Sequence, residues 1–179
     1  ALANAGTVNA PTGANLTVGG NFSNTLTFNH NGGTVVLSGA TGATLTGVPT
    51  VFNLNVTKTG LASVAVIGSD LAVTGALNTT SDDGTGNNVN LTSNALTVTG
   101  LTTVGALASV SSTSGILTFT LDVTNNGMVT STDGAINALA AFTNLGAGSS
   151  LGSNAGAINI TGALANAGTV NAPTGANLT

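Results

Sequence analysis

Residues 71–77 read LAVTGAL and residues 158–164 read INITGAL. Both are aliphatic-x-aliphatic-x-Gly followed by Ala-Leu. The shorter pattern recurs as Leu16-Thr-Val18-Gly-Gly20 and Leu96-Thr-Val98-Thr-Gly100. An alternation of period two puts Leu71 and Val73, or Ile158 and Ile160, on one side of a strand, whereas a helix needs a period of 3.6. Val, Ile, Leu and Thr fit a pleated surface, and Gly ends the run where the chain turns. Ile116–Val123 (ILTFTLDV) alternates in the same way, with Leu117, Phe119, Leu121 and Val123 expected on one face. So does Phe52–Val56, with Phe52, Leu54 and Val56 against Asn53 and Asn55.

These strands recur at a coil-like spacing. Asn126-Gly127, Asn144-Leu-Gly146 and Asn166-Ala-Gly168 place glycines 19 and then 22 residues apart. Ala135-Ile136-Asn137 and Ala157-Ile158-Asn159 are also 22 apart. A period of about 20 residues falls among those of solenoids. A longer repeat lies over it, because residues 1–17 and residues 163–179 both read ALANAGTVNAPTGANLT, an offset of 162. Chance does not give seventeen consecutive identities. The expected organisation is one full solenoid repeat over 1–162 and the start of the next identical repeat over 163–179, continuous and without a linker. The chain is expected to be a segment of a longer tandem array. The expected fold is all-β: a parallel β-solenoid (β-helix) with roughly 20 residues per coil and about eight coils per repeat.

Composition narrows the function. Of 179 residues, one is basic (Lys58), five are acidic (Asp70, Asp82, Asp83, Asp122, Asp133), one is His30 and none is Cys. One lysine cannot neutralise a run of phosphates, so nucleic-acid binding is excluded. Thiolate metal sites and disulfides need Cys. The low charge suits a stack of coils, in which like charges would lie directly above one another. No stretch offers the roughly 18 consecutive apolar residues of a membrane helix. The chain lacks the Tyr and Trp that girdle membrane barrels.

VTNNGMVTSTDGAIN (123–137) and INITGALANAGTVNA (158–172) resemble coils of filamentous-haemagglutinin-like adhesins. Those are large secreted bacterial proteins whose repeats wind into right-handed parallel β-helices. The stretch over 26–77 is similar to a unit of giant tandem-repeat cell-surface proteins. In that unit an F-x-N-L-x-V-like strand (Phe52–Val56) and an L-x-V-x-G strand (Leu71–Gly75) follow a Gly turn. The resemblance implies an extracellular or cell-surface location.

Candidate chemistry is sparse. Asp82, Asp83 and Asn87, with Gly84, Gly86 and Asn88 around them, form an oxygen-rich turn that is a weak calcium candidate. Their spacing matches neither an EF-hand nor the Gly-Asp nonapeptide, and a solvated turn closing a coil is the simpler expectation. Two carboxyls also suggest glycoside cleavage, but the accompanying Arg is missing and no nucleophile or phosphate motif is present. His30, beside Asn31-Gly32-Gly33, is expected in a turn. Lys58 shares the parity of Phe52, Leu54 and Val56. Burial of an unpaired lysine is costly, so the strand is expected to end at Val56, with Thr57-Lys-Thr-Gly60 as a turn. The other reading turns Lys58 inward to pair with Asp70 or to cross-link to an Asn.

The sequence therefore points to a non-enzymatic structural protein without catalytic residues or cofactor, a tandem-repeat segment of an extracellular filament, fibre, stalk or sheath. Its expected partners are further copies of the repeat, in filaments or bundles. The alternative is the stalk or binding module of a surface adhesin that recognises a receptor or glycan.

Overall fold

The computed structural model describes residues 1–60, 64–81 and 88–179. Among the described residues there is no helix, and short strands follow one another around three faces. Face 1 is a nine-stranded sheet that runs from Leu2–Asn4 through Phe22–Asn24 and Ala43–Thr46 to Thr169–Asn171. Face 3 is an eight-stranded sheet from Asn15–Val18 to Leu164–Asn166. Face 2 begins with the pair Val8–Asn9 and Phe28–Asn29 and continues as a six-stranded sheet from Thr50–Val51 to Ile158–Ile160. The chain visits faces 1, 2 and 3 in turn, and each strand pairs in parallel with strands one circuit away. This is a parallel β-solenoid of about eight turns. The register advances by as few as 19 residues per turn (Val110 to Val129) and as many as 25 (Leu71 to Leu96).

In-register pairing stacks like on like inside the prism. On face 2 the column Leu71, Leu96, Leu117, Ile136, Ile158 is buried throughout. Beside it Val98, Phe119 and Ala138 follow one another, so a ring sits above a methyl and the narrow interior stays filled. Each such side chain contributes about 1.5–3 kcal/mol on burial. Leu71, Val73, Leu117, Phe119 and Ile158 are all in this core, as their alternation requires.

The faces are shorter than the alternation suggests, because corners interrupt it. Ile116–Val123 is not one strand: Leu117–Phe119 belongs to face 2 and Val123–Asn125 to face 3. Thr120, Leu121 and Asp122 turn the corner between them, and Leu121 points outward, 47 % exposed. Phe52 is likewise a corner residue, and the strand Asn53–Lys58 begins after it. Glycine is required where successive corners touch. A Cβ on Gly134 would strike the carbonyl of Gly115 one coil below, and a Cβ on Gly156 would strike that of Gly134.

Candidate functional site

Lys58 departs most from expectation. The strand does not stop at Val56 but runs to Lys58, in register between Gly39 and Ser81. Parity then turns the side chain inward, and Lys58 is 1 % exposed. Its Nζ donates to the carbonyl oxygens of Ser38 at 2.7 Å and Thr41 at 2.9 Å. Those carbonyls lie where the preceding coil turns from face 3 to face 1. The ammonium thus closes a corner, and the two acceptors offset the desolvation that an inward lysine incurs. Burial holds its pKa below the ordinary 10.5.

The acidic side chains also act between coils. Asp70 Oδ1 accepts the Ala95 N–H at 2.8 Å, and Leu71 N–H donates to the Ala95 carbonyl at 2.9 Å. Asp122 Oδ1 accepts the Ala141 N–H at 3.1 Å, with Val123 N–H on the Ala141 carbonyl at 2.9 Å. Asn53 repeats this with Ala76, at 2.8 and 3.0 Å. Asp70 and Asp122 lie just before a strand and Asn53 is the first residue of one, and each supplies a side-chain oxygen for an N–H one coil further on. The motif resembles a helix N-cap, moved to a solenoid corner.

Asparagines form ladders. Asn125 Nδ2 donates to Asn144 Oδ1 at 2.8 Å, and Asn144 Nδ2 donates to Asn166 Oδ1 at 2.7 Å. Asn125 and Asn144 are fully buried, and their amides also bond the carbonyls of Ser150 and Thr169. Asn4 and Asn24 make the same amide-to-amide bond at another corner, at 2.8 Å.

His30 lies at a turn, as expected: Gly33 N–H donates to its carbonyl at 2.8 Å and Gly32 N–H to its Nδ1 at 3.1 Å. Its ring stacks on Phe52, with centroids 6.0 Å apart. Here face 2 is interrupted, since Phe28–Asn29 does not pair with Thr50–Val51. A shallow groove lined by Phe28, Asn29, His30, Asn31 and Thr50 marks the gap. On the corner between faces 2 and 3, Leu101, Leu121 and Leu139 of three successive coils are each about half exposed, at staggered positions of the corner. Of the three, only Leu121 continues a core alternation, that of Leu117 and Phe119; Leu101 and Leu139 fall on the outward parity of Thr102–Val104 and Ile136–Ala138.

The calcium candidates Asp82, Asp83 and Asn87 lie outside the described residues. Among the described residues no three His, Cys, Asp or Glu side chains gather, and no helix is long and apolar enough to cross a membrane. Comparison with protein-family models, with curated proteins and with solved structures finds no match to the chain.

Proposed function

We propose that this chain is a rod-forming tandem-repeat segment of an extracellular filament, fibre, stalk or sheath, and that its work is mechanical. The observation that carries the reading is the use of its scarce polar chemistry. Lys58, Asp70 and Asp122 each bond backbone groups of a neighbouring coil, and the buried asparagines bond one another along the axis. Side chains that would recognise a ligand elsewhere are here the rivets between turns. The coil rhythm supports a place among filamentous-haemagglutinin-like or giant tandem-repeat surface proteins, and with it secretion. The nearly uncharged faces suit lateral packing of rods into bundles.

Electron microscopy of one, two and four tandem copies of the 162-residue unit tests this. Rods that lengthen by roughly 37 Å per copy, at about 4.8 Å per coil, are expected. Separate compact beads on a flexible string would overturn the reading.

A further inference from the structure

We propose that successive 162-residue copies join with a rotation of one face, so that an array regains its starting orientation only after three copies. This rests on the tandem-array reading above. One sequence, ALANAGTVNAPTGANLT, occupies two places in the chain. In its first occurrence Leu2–Asn4 lies on face 1, Val8–Asn9 on face 2 and Asn15–Val18 on face 3. In its second, Leu164–Asn166 lies on face 3, Thr169–Asn171 on face 1, and Leu178 bridges to Ile158 of face 2. Every segment has moved by one face, in the same sense. From Leu2 to Leu164 the chain makes seven full turns and two faces of the next, not a whole number of turns.

The two places offer Leu-Ala-Asn the same partner. On face 1 it pairs with Phe22-Ser23-Asn24, Leu2 opposite Phe22 and Asn4 opposite Asn24. On face 3 it pairs with Phe142-Thr143-Asn144, Leu164 opposite Phe142 and Asn166 opposite Asn144. Both phenylalanines are fully buried, and both asparagine pairs are hydrogen-bonded. The bonds also share a polarity. Asn4 Nδ2 donates forward to Asn24 at 2.8 Å, and Asn144 Nδ2 donates forward to Asn166 at 2.7 Å. One Leu-Ala-Asn strand can therefore accept from Asn144 of one copy and donate to Asn24 of the next. Superposition of the two observed placements builds the joint: an amide ladder through Asn125, Asn144, Asn166 (the next copy's Asn4) and the next copy's Asn24. The other strands agree. Val170 pairs with Leu151 where Val8 pairs with Phe28, and Leu178 bridges to Ile158 where Leu16 pairs with Val35, so apolar meets apolar on both sides.

The joint sets the surface of the array. The corner that carries the exposed Leu101, Leu121 and Leu139 points a different way in each of three successive copies. Lateral contacts then point in three directions, which favours a bundle or sheath over a flat ribbon.

The chain has no cysteine, so introduced pairs can be joined cleanly by a short thiol-to-thiol cross-linker. Thr143→Cys with Ala165→Cys places both thiols at paired, outward positions of face 3. An unrotated joint would instead put residues 164–166 on face 1. There the column of Leu2, Phe22 and Leu45 leads to Ser131 and Ser153, which brings Ala165 beside Asn154. Asn154→Cys with Ala165→Cys is therefore the competing pair. The proposal expects near-complete cross-linking of the first pair and background for the second, and the reverse overturns it. Cryo-electron microscopy of three tandem copies should show 23 turns and neighbours rotated by a third of a turn, three times the span seen here. Rods with unrotated copies would sink this proposal alone. Separate beads would sink the tandem reading and this proposal with it.

Discussion

At the scale of single residues, the interior holds several hydroxyls whose placement costs stability. Thr102 stands in the column of Leu77 and Val123, is 1 % exposed, and its Oγ1 has no hydrogen-bond partner among the described residues. A buried donor left unbonded costs about 1–3 kcal/mol. Thr102→Val keeps the shape and removes the hydroxyl, so it should raise stability by about 1 kcal/mol. In thermal melts that is an upward shift of roughly 2–4 °C for a chain of this size, whereas a fall would show that the hydroxyl is bonded after all. Lys58 sets a pH dependence. Its pKa is lowered in the folded chain and ordinary, 10.5, in the unfolded one. Between the two values the unfolded chain carries the extra proton, so stability rises as pH climbs through the folded value and levels off near 10.5. Melts across this alkaline window should show the rise in the native chain and a flat profile in Lys58→Met. A native profile as flat as the variant's would remove the account of Lys58.

At the scale of the strand and its corner, the alternation made much of the core legible: Leu71 with Val73, Leu117 with Phe119, Leu54 with Val56. The corners without glycine were not legible, because such a corner spends residues without marking them. Thr120-Leu121-Asp122 continues the alternation of ILTFTLDV, yet turns Leu121 out to solvent. Lys58 failed for the opposite reason. Its parity was right, but the carbonyls of Ser38 and Thr41 that make its burial tolerable come from another coil. Only the fold brings them together. The glycine rhythm was legible, and two corners show that it has two causes. Gly134 has no room for a Cβ against the Gly115 carbonyl one coil below, while Gly13 has open space around it but a φ of 64°. Gly134→Ala should cost about 1–3 kcal/mol through forced separation of two coils. Gly13→Ala should cost about 1–2 kcal/mol through the left-handed backbone. Asparagine separates the mechanisms, since it tolerates φ > 0 but is larger. In urea titrations Gly13→Asn should recover most of the loss, and Gly134→Asn should lose at least as much as the alanine variant.

At the scale of the whole molecule, the direction of the hydrogen bonds governs the response to load. Strands run around the prism and the ladders run along it, so tension along the axis pulls each ladder bond lengthwise. Every coil contacts only its neighbours, which makes stability a sum of coil and interface contributions. The Lys58, Asp70 and Asn125 bonds each add to one interface and not to the rod as a whole. A single chain held by its ends should therefore peel one coil at a time. Each event releases about 21 residues, which at roughly 3.4 Å per residue is about 70 Å of added length. Optical-tweezer traces of tandem copies should show a train of such small steps. Steps of roughly 550 Å, one per 162-residue copy, would mean that each copy unfolds as an independent domain. In an array with rotated joints the train should pass from copy to copy without a break, because the Asn144–Asn166 interface has the same amide ladder as the Asn125–Asn144 interface before it. A pause or a force change every eight or so steps would mark the joint as a seam and count against a continuous solenoid.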